Sequence, residues 1–104
     1  MSTTMLLKER ETEEGLLVSV CDPDVLGETF EEGPVSLTVT EEFYGGDQVD
    51  PDAVEESLAR AHVANIVGTD AVGLAIDAGF VDEENVLEVD GTHHAQMLRL
   101  SMRR

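Results

Sequence analysis

The stretch DPDAVEESLARAHVANIVGT, running from Asp50 to Thr69, decides how this chain is read. Asp50 can accept a free amide at a helix start, and Pro51 lacks the amide that would go unpaired there. Leu58 and Ala61 mark an apolar stripe on the helix that follows. His62 and Asn65, three apart, share that face. The pattern predicts a helix to about Val67, broken at Gly68-Thr69. Thr69 then caps a second helix through Ala78, with Gly79 as a left-handed terminator and Phe80 as its hydrophobic contact.

Strand signals lie on both sides of this helical centre. Thr4 to Arg10 reads as a short strand. Leu16 to Cys21 is apolar enough to be central in a sheet, and the short Glu11–Gly15 connection makes the two a hairpin. Asp22-Pro23-Asp24 breaks the strand, with Asp22 placed to cap one helical turn that Gly27 ends. After the Gly33-Pro34 turn, Val35 to Thr40 alternates strictly, sending Val35, Leu37 and Val39 to the core. Glu41 to Gln48 reads as a loop. Val86 to Val89 and Gln96 to Leu100 are strands joined at Asp90-Gly91, with residues 92–95 lengthening the loop or adding a bulge. The order β-β-β-α-α-β-β predicts an α+β fold: about five strands, a largely antiparallel sheet, and a helical pair on one face. One domain over residues 1–104 is expected, with a core from about 4 to 100 and frayed ends at 1–3 and 101–104.

Composition bounds the setting. Asp and Glu number 23 of 104 residues, Lys8 is the lone lysine, and the formal charge is −17. Such a chain repels itself in dilute buffer. Yet 41% of residues are apolar and they fall in periodic runs, which excludes disorder. At ~1 M salt the Debye length is about 3 Å and surface carboxylates hardly feel one another. The composition therefore fits a salt-filled, halophilic cytosol. The single Cys21 excludes an intramolecular disulfide and a cysteine zinc cluster. No secretory leader pattern and no apolar run of roughly 20 residues is visible, so a cytoplasmic protein with no membrane partner is expected.

Several residues invite a functional reading. His94 and Gln96, two apart on a strand, share a face; His93 points the other way. His62 and Asn65 suit a pocket between helices and sheet. Cys21 before Asp22 is a small buried thiol, or a nucleophile activated by a helix start. Phe43 and Tyr44 beside Gly45 and Gly46 suit a binding loop, because glycine permits close backbone approach. There is no phosphate-cradling Gly-Lys-Ser/Thr and no calcium-loop spacing, so neither metal nor cofactor is expected. Lys8, Arg10 and Arg99 would form a cationic edge, with Arg103 and Arg104 beside it, if the first and last strands pair.

Taken in order, Cys21-Asp22 with Leu26-Gly27, Glu42-Phe43-Tyr44-Gly45-Gly46, Ala64-Asn65-Ile66-Val67-Gly68 and His94-Ala95-Gln96 resemble a family of short archaeal proteins that is a domain of unknown function. The resemblance runs from about Met5 to Leu100. It implies an archaeal origin and a compact α+β fold, and it brings no activity. A proline often precedes the His-Ala-Gln segment in that family; His93 stands there here, which shifts weight to His94.

No catalytic set is coherent, and Tyr44, Asn65, His94 and Gln96 suit stacking and hydrogen bonding. The expected function is a non-enzymatic binding module that contacts RNA or a translation-machinery protein. A small enzyme or metal-dependent hydrolase, using His94 with a carboxylate or Cys21, is the alternative. A homodimeric scaffold joined by an exposed strand edge or the Phe43-Tyr44 loop is the third reading; the chain is expected to be a monomer or a homodimer.

Overall fold

A computed structural model describes residues 4–99. In chain order they form β1 (Met5–Thr12), β2 (Gly15–Cys21), a 3-10 turn (Pro23–Val25), β3 (Thr29–Glu32), β4 (Val35–Thr38), α1 (Glu41–Tyr44), β5 (Asp47–Val49), α2 (Pro51–Arg60), β6 (Val63–Val67), α3 (Thr69–Asp77), a second 3-10 turn (Glu83–Asn85), β7 (Leu87–Val89) and β8 (Thr92–Leu98). The expected ends at 1–3 and 101–104 lie outside the described residues. The α+β reading holds, with more strands than expected. Six strands form one sheet in the order β5-β1-β2-β6-β8-β7, and β3-β4 form a separate hairpin. Every neighbouring pair in the large sheet is antiparallel except β2 and β6.

Asp50 does start a helix, its carboxylate accepting the Ala53 amide at 3.0 Å, but that helix ends at Arg60 instead of running to Val67. Ala61 turns extended (φ −73°, ψ 146°) and the chain enters β6. Val63, Ile66 and Val67 are β-branched, and a strand position between β2 and β8 lets them pack on both faces of the sheet. His62 and Asn65 therefore do not share a helix face. The second helix is found, with Gly79 in the left-handed region (φ +85°) and the Phe80 amide bonded back to Ala75 at 2.8 Å.

Other expectations change with the topology. Val35 to Thr40 is not a strand of the main sheet: Val35 is exposed (38%), Val39 is buried, and β4 pairs with β3, which the charged Thr29–Glu32 segment concealed. The expected 41–48 loop contains α1 and β5. Residues 92–95 belong to β8, because Asp90 (φ 50°) and Gly91 (φ 88°) close a two-residue turn between Val89 and Thr92.

The register sorts the sheet into two faces. Residues Met5, Val18, Val20, Ala64, Ile66, Ala95 and Met97 project to one face, where α2 and α3 supply Val54, Leu58, Ala71, Val72 and Ala75 to the main core. Leu6, Cys21 and Val67 project to the other, covered there by Val25, Phe30, Leu37, Val39, Phe43 and Tyr44. That second cover does not reach Leu98, which stays 69% exposed.

Two close approaches fix the cover and the helix. A Cβ on Gly46 would lie 1.9 Å from the Leu7 carbonyl oxygen, so only glycine lets this loop rest on β1. Gly68, at φ +114°, leads into α3, and a Cβ there would lie 2.4 Å from the Asp22 carboxylate. Asp22 does not cap its own 3-10 turn. Its Oδ2 accepts the Asp70 amide at 3.0 Å and its Oδ1 the Ala71 amide at 2.9 Å. Thr69 is thus not the cap expected of it; the acceptor comes from 48 residues away.

Gly46→Ala is expected to destabilise the fold by about 3 kcal/mol, since its partner is backbone and cannot move aside; a urea midpoint at molar KCl measures it. Asp22→Ala, which strips α3 of its cap, is expected to cost about 2 kcal/mol in the same measurement.

Candidate functional site: the open half of the sheet

Beyond the hairpin, with α1 touching only their Lys8 and Arg10 end, two cross-strand rows of side chains run across the described sheet. Lys8 of β1 pairs with Ser19 of β2, Ser19 with Asn65 of β6, and Asn65 with Gln96 of β8. These four are polar and share one face, since paired residues project to the same side. The next row is Arg10, Leu17, Val63 and Leu98, paired in the same sequence of strands. Leu98 is 69% exposed. Asn65, Leu17 and Val63 are half-buried, and Ser19 is buried. Neighbouring strands lie about 4.8 Å apart, so the Asn65 and Gln96 amides stand side by side.

The face has an unusual charge. On the described strands of this sheet, none of the chain's 23 Asp and Glu residues projects to this side. Glu9 and Glu11 of β1 and Glu88 of β7 occupy the alternate positions, on the helix side. Glu9 shows it directly: its Oε2 accepts from the Ser57 hydroxyl of α2 at 2.5 Å and from Arg60 at 2.9 Å. The Ser57 hydrogen bond, aided by Arg60, draws the Glu9 carboxyl below its usual range against a smaller opposing push from burial.

The expected site residues divide into those on this face and those with structural duties. Asn65, Gln96 and half-buried His94 lie on it. Cys21 lies on it too, but buried under the cover, where desolvation and the neighbouring Asp22 push its thiol up to about 11. Cys21 and His94 both pair with Val67, which stands between them. Two strand spacings, roughly 10 Å, separate this thiol from this imidazole, so they do not form a nucleophile and base. Burial pushes the Asp22 carboxyl up against the pull of its two amide bonds, and its oxygens are occupied by α3. Among the described residues no group of three or more His, Cys, Asp or Glu has the geometry of a metal site.

Tyr44 is not available for stacking. It is 5% exposed, its hydroxyl pushed up to about 12 by burial, and its ring meets Phe43 edge-on at 4.9 Å. Phe43 is half-buried at the rim, with the Arg10 guanidinium 5.2 Å from its ring centroid. Gly45 and Gly46 serve packing, not ligand approach. His62 is a joint: its Nδ1 accepts the Leu16 amide at 3.0 Å, its own amide donates to the Leu16 carbonyl at 2.9 Å, and its carbonyl accepts from Arg99 at 2.8 Å.

Among the described residues the expected edge of Lys8, Arg10 and Arg99 does not form. β1 and β8 are separated by β2 and β6, which sets Lys8 about three strand spacings, ~14 Å, from the β8 line. Each cation instead meets a carbonyl near a helix C-terminus, where positive charge is favoured. Lys8 and Arg10 both donate to the Glu42 carbonyl of α1, at 2.5 and 2.6 Å. Arg99 donates to the Ala59 carbonyl of α2 at 2.8 Å. Arg103 and Arg104 lie outside the described residues.

Residues 9–100 match the model of DUF424, described as a protein of unknown function. The chain belongs to the DUF424 family. It is also similar to an uncharacterized conserved protein from Methanopyrus kandleri of known crystal structure. The two are 25% identical with a TM-score of 0.75, over 97% of this chain and 98% of that one. No curated protein matches. In the fold Asp22 lies against Gly68, Gly46 lies against β1, and Asn65 pairs with Gln96.

Ser19, Leu17, Val63 and Leu98 escape a reading of single residues. Their signal is period two along β2, β6 and β8, visible only once Val63–Val67 is recognised as a strand.

Burial holds the His94 imidazole below its ordinary 6.5. The folded chain then resists a proton that the unfolded chain accepts, so this contribution to stability is complete above about pH 6.5 and falls as acid takes pH below it. His94→Gln is expected to lose less stability than the wild type between about pH 7.5 and 5.5, compared by urea titration at fixed KCl.

Proposed function

We propose that this DUF424 protein is a non-enzymatic binding module of a salt-rich archaeal cytosol, and that the open half of its sheet takes single-stranded RNA of the translation machinery. One observation carries the reading: the strands turn no carboxylate to this side in a chain that otherwise bears −17. A face that leaves out the commonest charge of the chain suits an anionic or hydrogen-bonding partner.

The residue types agree. At molar salt, release of counterions adds little affinity, so recognition must come from hydrogen bonds and flat contacts. The paired Asn65 and Gln96 amides offer donors and acceptors for base edges. Leu17, Val63 and Leu98 offer an apolar floor for sugar and base rings. Lys8 and Arg10 stand at the rim, and the Arg10–Phe43 pair gives a planar margin on which a base can stack.

Asn65→Asp tests this with almost no change of volume, placing one carboxylate on the face. The experiment is a tagged pull-down from a halophilic archaeal lysate at native salt, with and without RNase, read by mass spectrometry and RNA sequencing. The wild type is expected to recover ribosomal or initiation components in an RNase-sensitive manner. Asn65→Asp is expected to recover about tenfold less, a loss of about 1.4 kcal/mol. Recovery that RNase does not touch, or that Asn65→Asp leaves unchanged, overturns the reading.

A further inference from the structure

We propose that the outer edge of β8 is a self-association site, where two copies join antiparallel through Gln96 and Leu98 and merge their six-stranded sheets into one. The backbone bonds of β8 show which groups face outward. The Gly68 amide donates to the His93 carbonyl at 2.9 Å and the Arg99 amide to the His62 carbonyl at 2.8 Å. Odd-numbered residues of β8 therefore turn their peptide groups toward β6, and even-numbered residues turn theirs to the outer edge. β7 pairs with Thr92 and His94. Among the described residues, no strand pairs with the outer edge at Gln96 and Leu98.

The edge is bare because β7 is cut short. Continuing its register past the Leu87–His94 pair would set Asn85 opposite Gln96 and Glu83 opposite Leu98. Glu83–Asn85 instead closes a 3-10 turn, its ends bonded Asn85 to Asp82 and Val86 to Glu83. Between this turn and β8 lies an open cleft of about 280 Å³, lined by Phe80, Val81, Asp82, Gln96 and Leu98 among others. It leaves room for a strand beside β8.

The occupant that fits is a second copy. With Met97 opposite Met97 of the second copy, Gln96 falls opposite the second copy's Leu98 and Leu98 opposite its Gln96. Both are pairs whose peptide groups face each other, and each such pair exchanges two hydrogen bonds. This self-matching is what a two-fold interface requires. Charge agrees: β8 itself contains no Asp or Glu, and Arg99 follows it, so this strand adds no carboxylate to the repulsion between two acidic chains. Leu98 and Leu87, the most exposed large apolar side chains among the described residues, flank the edge on the same side of the sheet. The two-fold axis runs normal to the sheet, so both open halves would lie on one side, as a continuous face without carboxylates on its strands. The pairing itself does not depend on RNA binding.

Proline supplies the test. At Gln96 or Leu98 it removes an outward amide that neither β6 nor β7 uses, and proline is tolerated where the amide of an edge strand faces outward. Sedimentation equilibrium of the full chain at molar KCl is expected to show a mass rising with concentration from 11.3 kDa toward twice that value. Gln96→Pro and Leu98→Pro are each expected to remain monomers, with the far-ultraviolet circular dichroism of the wild type. A wild type that stays monomeric to about 1 mM, or proline variants that associate as it does, overturns the proposal. RNA capture by a monomeric wild type would overturn it while leaving the functional reading standing.

Discussion

The carboxylate of Asp22 is the fastening on which this fold depends. It sits at the end of β2 and accepts the first amides of α3, which begins just past the end of β6. The Asp22 amide donates to the Val67 carbonyl at 3.1 Å, which closes the parallel β2–β6 pair at the same point. Two distant parts of the chain, the end of β2 and the β6–α3 junction, are thus fixed by one residue. Burying a carboxylate costs free energy unless it is well bonded, and a helix N-terminus is a favourable place for negative charge. The contact admits no side chain on Gly68, because the carboxyl carbon already fills that space. The same residue sends the chain off the sheet into the Pro23–Val25 turn, and so begins the cover on the opposite face.

From that fastening follows the unequal treatment of the two faces. α2 and α3 cover one side with valine, leucine and alanine, and the acidic residues of β1 and β7 share that side at its margins. The hairpin, the 3-10 turn and α1 are too short to cover all of the other. What they leave is a strip four strands wide whose rows are set by pairing alone. Strand pairing has a period of two, so a slip of one residue in β1 would bring Glu9 and Glu11 onto the open side. The Glu9–Ser57 and Glu9–Arg60 contacts oppose that slip. Arg60 and Glu9 are well exposed, so this ion pair adds little stability; its role is register.

Much of the local grammar was legible in the sequence. Asp50-Pro51 starts a helix, Gly79 ends one, and the apolar Leu16–Cys21 run is a central strand. The decisive misreading was Val63–Val67. Its alanine and asparagine, following a well-capped helix, continue a helical pattern, and nothing local says that two strands wait on either side. Tertiary pairing overrode a weak propensity. The same miss hid the site. Asn65 and Gln96 each stand out in the sequence, but their adjacency follows only from β6 lying beside β8. Tyr44 shows the reverse error: an aromatic beside two glycines suggests a binding loop, yet the glycines are there so that α1 can press that ring into the core.

The few cations serve the fold itself. Positive charge is scarce, and Lys8, Arg10 and Arg99 each meet backbone carbonyl oxygen near the end of a helix. On the reading proposed above, a basic patch is therefore not what would draw an anion to this surface. The strands of the main sheet keep their carboxylates on the helix side, and the strip shows amide and aliphatic groups around a buried Ser19. In concentrated salt this is physically sensible: long-range attraction is screened within about 3 Å at ~1 M, whereas a carboxylate in direct contact with a partner still costs its desolvation. Under such conditions specificity rests on short-range fit, and a strip without carboxylates keeps that cost from arising.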